Sequence, residues 1–400
     1  MHPRVPFSPL LAVALVAVIA GCTSTVAGSA VKATGGSTVG GTNSSRLDPG
    51  NYPAKPGSPY GNANSPGVGA VIDAHRMAAN VVVPDEVDPA LTKPSWFNTG
   101  TLGMPDLISI DIPSPGPEIA AAHHVLFGFS TCRVSAGPAD QEMLINVVLR
   151  FPDPAAAVAA ATELAARVPP PAPGHPVPIP NYPAALAAAY DAQDFHAVAS
   201  FVPRGPYLLY QYAQSPQGPD AAVRLVATTL DLQGPRIDAF VPTDPAHFPD
   251  LPIDSTGFLN RVVPPDKGAN GTADSGTYQA QAALHFEADA KARQLFAAAG
   301  IDAVAILRTT VYRARDAASA QQMAEMAAAD TGVQPGAKPD VGVPGVPSAK
   351  CFEMGQSPRD VSPARFQCFA AAGRYAFRAA SQDLLDVRQQ MASQYLMLTA

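Results

Sequence analysis

A few side chains are of types that could do chemistry, and their spacing says which chemistry each would support. Cys22 stands behind Ile19-Ala20-Gly21 at the end of an apolar run, a setting for modification of the thiol during export. His123-His124 would begin a metal site. On the strand expected there, however, neighbours point to opposite faces, and no second His/Asp/Glu pair at ligand spacing accompanies them. Ser130 and Ser200 lack the Gly-x-Ser-x-Gly turn that presents a nucleophilic serine, so serine hydrolysis is unsupported. Arg150 and Arg313 recur at matched positions and would suit an anionic headgroup, although a solvated strand end explains them more simply. Asp153 and Asp316 each precede a helical run, where a carboxylate accepts from free backbone N–H groups; capping accounts for both. No catalytic, cofactor-binding or metal-binding residue is expected, and no cofactor.

The strongest signal concerns location. Arg4 leads into an uncharged run from Leu10 to Ala20, too short to span a bilayer but suited to a secretory signal peptide. Ile19-Ala20-Gly21-Cys22 resembles a bacterial lipobox, whose cysteine receives diacylglycerol before cleavage. The resemblance implies a signal peptide over 1–21, a mature chain beginning at an acylated Cys22, and a place on the outer face of the cytoplasmic membrane, in the cell envelope. Acyl chains at Cys22 would then be the membrane attachment, each buried CH₂ contributing about 0.8 kcal/mol. Residues 22–45, rich in Thr, Ser, Gly and Ala, read as a flexible tether reaching roughly 25 Å. Thr23, Ser24 and Thr25 are open to O-linked sugar, or are plain linker.

Composition narrows the partners. The 400-residue chain is 47% hydrophobic and 15% charged, enough for a sizeable core in two or three domains. Removing residues 1–21 takes away Arg4, which leaves 25 Lys+Arg against the 33 Asp+Glu and a formal charge of −8 in place of −7. That balance argues against nucleic acid and against a polybasic membrane face. With Cys22 acylated, three cysteines remain. Cys351 and Cys368 sit in short apolar runs separated by a Gly/Pro/Ser loop and are expected to form a disulfide across a hairpin, leaving Cys132 as a buried thiol.

Along the chain, residues 46–116 form a turn-rich arm. Leu47-Asp48-Pro49-Gly50-Asn51-Tyr52-Pro53 and the stretch from His75-Arg76-Met77-Ala78 to Glu86-Val87-Asp88-Pro89 resemble an uncharacterised family of secreted lipoproteins from mycobacteria and related actinobacteria. The resemblance implies origin and envelope location and carries no site residues. Trp96-Phe97 is expected to anchor this arm, or to form an exposed contact.

Beyond Pro117 an internal repeat emerges. The strand running into the Asp153-capped helix parallels the one running into the Asp316-capped helix, and Phe201–Tyr212 parallels Phe369–Ala380, with Gly205 matching Gly373 and Tyr207 matching Tyr375. Helices over Asp220–Asp231 and Asp383–Leu398 follow. The sequence therefore predicts an α+β fold of two similar strand–helix–strand–strand–helix units, 117–252 and 278–400, joined by a linker over 253–277. Each would have a mostly antiparallel sheet with helices on one face. The Pro-rich run Val168–Pro183 reads as a surface loop joining helices, or as an extended recognition arm.

Three functions remain open. The first is a non-catalytic binding module for a lipid, a cell-wall component or another small ligand, held in a cleft between the units. The second is a protein-interaction subunit of an envelope complex. An enzyme with an unrecognised site is the least favoured, given the absent catalytic constellation.

Overall fold

The computed structural model describes residues 46–95, 99–136, 142–168, 174–191, 195–266, 273–287, 291–355 and 364–400. Cys22, the signal peptide, the tether and Trp96-Phe97 lie outside them. In chain order the first half comprises α1 (Pro66–Ala78), β1 (Lys93–Pro94), β2 (Gly100–Leu102), α2 (Gly116–Ala122), β3 (Phe127–Val134), β4 (Met143–Arg150), α3 (Pro154–Arg167), β5 (Gly174–Pro176), β6 (Leu186–Asp191), β7 (His196–Arg204), β8 (Tyr207–Ser215) and α4 (Pro219–Asp238). The second comprises β9 (Gly276–Gln279), α5 (Ala280–Ala283), α6 (Ala292–Ala299), β10 (Ala303–Ile306), β11 (Thr310–Arg313), α7 (Ala317–Gly332), β12 (Lys338–Asp340), β13 (Lys350–Glu353), β14 (Phe366–Ala372), β15 (Tyr375–Ser381) and α8 (Leu384–Thr399).

The two sheets share one plan. The first runs β1-β3-β4-β8-β7-β6-β5, with β2 also on β3, and the second runs β9-β10-β11-β15-β14-β13-β12. All pairings between their strands are antiparallel. The same residues do the same local work in both. Asp153 caps α3 by accepting from the Ala156 N–H at 2.9 Å, and Asp316 caps α7 by accepting from the Ser319 N–H at 2.7 Å. Gly205 and Gly373 turn β7 into β8 and β14 into β15 at φ of 54° and 53°, a left-handed conformation that a side chain would strain.

The α+β class and antiparallel sheets agree with the sequence, but the helices cover both faces of each sheet rather than one. Ala157, Ala160, Ala161 and Leu164 of α3 pack with Ile145, Val147, Phe201 and Leu208. Leu225, Val226 and Leu230 of α4 pack instead with Leu144, Val148, Val198 and Leu209. Adjacent strand residues point to opposite faces, so α3 and α4 enclose the first sheet between them. The second sheet repeats this. Ala320 and Met323 of α7 pack with Val304 and Tyr312, while Val387 and Met391 of α8 pack with Ala305, Val311 and Phe377.

The junction between the halves is packed, which corrects the expectation of a ligand cleft there. Phe127 and Phe129 share one core with Tyr278, Phe286 and Phe296. Phe286 meets Phe129 at 6.0 Å and Tyr278 at 5.1 Å between ring centroids. Residues 254–259 between the sheets are structured as well: Asp254 accepts from the N–H groups of Thr256, Gly257 and Leu259, and Phe258 and Leu259 enter the second core. The arm ties down the second half, with the Tyr52 hydroxyl donating to Asp386 at 2.6 Å. Cys351 and Cys368 face each other across β13 and β14 and are joined by a disulfide.

Candidate functional site

A cavity of about 730 Å³ opens on the α3 face of the first sheet. It lies within the range of about 300–1,000 Å³ usual for small-molecule sites. Strand alternation builds its floor: Ile145 on β4, Tyr210 and Tyr212 on β8, Ala199 and Phe201 on β7, and Tyr190 on β6. Phe201 and Tyr210 are cross-strand partners whose ring centroids lie 4.9 Å apart with the rings tilted by 37°, and the Tyr190 and Tyr212 centroids are 6.3 Å apart. Helix α3 shelters the part of this face near Leu149 and Leu208, then stops. Ala165 and Val168 form the lip where the cavity begins.

The opposite wall comes from the Pro-rich run. That run is neither a loop between helices nor a free arm, because it contains the edge strand β5 and leads into β6. Pro176 lies on the sheet edge, where proline costs no ladder hydrogen bond, and Pro178 continues the wall. The alanine-rich start of β6, at Ala187 and Ala188, keeps the floor shallow, and Leu186 stands half out in solvent at the mouth.

Polar groups are few. Asp111 contributes a carboxylate beside Pro113. The Tyr190 hydroxyl is buried beside that of Tyr212. Burial, and secondarily the neighbouring Tyr212 hydroxyl, push its titration far upward, so it stays a donor. Tyr210 is raised in the same way by burial and then by the charge of Asp111. Among the described lining residues none is cationic. The site therefore offers methyl and aromatic surface, one carboxylate and hydroxyl donors.

The residues singled out in the sequence lie elsewhere. Arg150 is buried, donates to Asp73 Oδ2 at 3.0 Å and lies over the rings of Phe127 and Phe248; it is an internal ion pair, not a solvated strand end. Arg313 pairs with Asp302 at 2.7 Å over the ring of Phe258. His123 follows α2 and bonds Glu163 Oε2 at 2.8 Å, and His124 turns the chain at φ 60°, so the pair sits at a helix end and not on a strand. Among the described residues no three His, Cys, Asp or Glu side chains gather as a metal group. Ser130 and Ser200 are buried on β3 and β7. Cys132 is a buried free thiol, pushed up to about 12 by burial and by Asp111, which withholds the reactive thiolate at neutral pH.

Sequence reasoning missed two groups of buried charges that join distant segments. Asp73 on α1, fully buried, accepts from Arg76, Arg150 and Thr243. Arg133 on β3 donates to the carbonyls of Leu284 and Glu287, both at 3.0 Å, while the Glu287 carboxylate accepts from Tyr312 at 2.8 Å and Arg378 at 3.2 Å. The Asp73 group ties α1 to β4 and to Thr243 within the first half, and the Arg133 bonds tie β3 of the first half to the second. An acid within the apolar helical stretch Ile72-Asp73-Ala74 was the available signal.

Residues 60–253 match the N-terminal domain, and residues 258–400 the C-terminal domain, of a family described as a domain of unknown function, DUF7373. The chain belongs to this family. Its two domains coincide with the two sheets, so the cavity falls in the family's N-terminal domain. No curated protein matches the chain. Among solved structures, the extracellular domain of PknH from Mycobacterium tuberculosis is similar at 15% identity and a TM-score of 0.29, covering 40% of this chain and 95% of its own. Among the described residues no helix is long and apolar enough to cross a membrane.

Proposed function

We propose that this protein is a non-catalytic binding module of the cell envelope, held at the outer face of the cytoplasmic membrane by acyl groups on Cys22, and that its N-terminal domain carries a small apolar molecule. The observation that supports the reading is the cavity beneath the end of α3, lined by aromatic rings and alanine methyl groups on a rigid sheet. Such a surface rewards removal of hydrocarbon from water, at about 25 cal/mol per Å² of apolar area buried. Its described lining brings no nucleophile and base together, so it fits retention better than turnover. The test is to purify the full chain from membranes in mild detergent, record its native mass spectrum, and extract it with organic solvent. A co-purifying apolar molecule of defined mass is expected. A chain that is empty and stays empty when neutral lipids are added contradicts the reading.

A further inference from the structure

The two domains are built on one plan, which allows the cavity to be compared with its counterpart position by position. The hairpin registers are the same: Arg204 pairs with Tyr207 and Phe201 with Tyr210 in the first sheet, Ala372 with Tyr375 and Phe369 with Arg378 in the second. One strand further out, Leu186 pairs with Phe201 and Lys350 with Phe369, so Ala188 corresponds to Phe352. At the edge Pro176 pairs with Ala188 and Pro339 with Phe352, placing a proline at the same point of both edge strands. Counting from the capping aspartates, Asp153 and Asp316, Ala165 of α3 corresponds to Ala328 of α7.

The counterpart is filled. Phe352 and Phe369 meet at 6.5 Å and pack under Ala328, which is only 1% exposed. A Cβ on Gly332 at the end of α7 would come within 2.9 Å of the Phe352 ring, so the helix lies directly on that side chain. In the first domain Phe201 remains, but Ala188 stands where Phe352 would be, and Ala165 is exposed at the lip of the cavity. The absent ring is what opens the space.

Resting on the binding reading above, we infer that Ala188 is the specificity-determining residue of the site, that the ligand occupies the place filled by Phe352 in the second domain, and that this ligand is an uncharged, chain-like molecule with a hydrogen-bond acceptor, such as an acyl ester. The charge follows from the lining: Asp111 repels an ionised carboxylate and no described lining residue is cationic to offset it. The acceptor answers the Tyr190 and Tyr212 hydroxyls, neighbouring donors on a largely apolar floor.

The experiment is native mass spectrometry of the full chain with 1-monopalmitoylglycerol and, separately, palmitate. The parent should carry one monopalmitoylglycerol and bind palmitate at least tenfold more weakly. Ala188→Phe should lose the adduct, with Ala188→Leu intermediate and a circular-dichroism melt confirming that each variant is folded. Phe352→Ala should open a second site, so that two adducts appear. If the parent binds but folded Ala188→Phe binds equally well, Ala188 does not set the site, and the binding module stands without this inference. Equal binding of palmitate overturns the uncharged-ligand assignment. If the parent takes up neither probe, the binding reading itself fails.

Discussion

Substituting His285 with Phe should flatten the acid sensitivity of folding. His285 is 1% exposed, its Nε2 lies 3.0 Å from the Ala78 carbonyl and so donates to it, and its ring is 4.8 Å from Phe129. Burial first, and the charges of Arg133 and Arg293 against that of Glu86, set its pKa at about 3, far below the ordinary 6.5. His75 is likewise lowered to about 4 by burial, opposed by its bond to the Ala273 carbonyl. Both are therefore neutral in the fold, while the unfolded chain takes up protons below pH 6.5. Their contribution is complete above that pH and is lost as pH falls through 6.5 toward 4 and 3. At pH 5 each has removed about 2 kcal/mol relative to neutrality, together a sizeable share of a typical 5–15 kcal/mol. Asp274, buried with a raised pKa, acts in the opposite direction but does so in parent and variant alike. His285→Phe removes one of two hydrogen bonds to the Ala78 carbonyl, which keeps the one from the Val81 N–H at 3.1 Å, and should cost roughly 0.5–1.5 kcal/mol at pH 7. Urea unfolding at pH 7, 6 and 5 should nevertheless show the pH-dependent loss shrinking by about 2 kcal/mol. An identical loss in both proteins would refute a neutral, buried His285.

Other outcomes follow from the same geometry. Asp73→Ala strands the buried Arg150 guanidinium and should lower stability by about 3–5 kcal/mol in denaturant unfolding, and a loss below about 1 kcal/mol would mean that Arg150 finds water or another acid. Opening the Cys351–Cys368 bond, which spans 17 residues of sequence, should cost roughly 3 kcal/mol by loop-closure entropy, seen as a lower Tm in a Cys351→Ser, Cys368→Ser double variant. Cys132 should resist alkylation until the chain unfolds, and labelling of the native protein at pH 8 would contradict its burial. Cys22→Ala should move the protein out of the detergent phase or leave an uncleaved precursor, and an unchanged membrane fraction would remove the anchor from the proposal.

What the sequence disclosed was local. Asp153 and Asp316 announced their helices because a capping carboxylate and the N–H that donates to it lie three residues apart, and Gly205 and Gly373 announced hairpins because the turn needs a left-handed residue. The Cys351–Cys368 pair was legible for the same reason, lying in two short runs close in sequence. The helix placement was misjudged although a sign of it was present. Met143-Leu144-Ile145-Asn146-Val147-Val148-Leu149 is apolar at nearly every position instead of alternating, as a strand covered on both faces is. The Arg150–Asp73 pair spans 77 residues and the Arg133–Leu284 bond spans 151, separations at which no pattern in one segment reports on the other. The cavity was hidden for a different reason. It arises where α3 ends and where Ala188 is small, and an alanine on a strand says nothing about its surroundings until a filled counterpart, Phe352, is set beside it.

The central claim is that an uncharged apolar ligand sits in the cavity of the N-terminal domain, and photolabelling tests it most directly. A monoacylglycerol carrying a diazirine along its chain would be added to the full protein, irradiated, and the labelled peptides mapped by mass spectrometry. Label confined to the cavity walls, on the Ala185–Tyr190 segment, around Ala199–Phe201 and at Tyr210–Tyr212, and competed away by unlabelled ester, is the predicted result. Label scattered over the surface, or concentrated in the second domain around Phe352, would contradict the account.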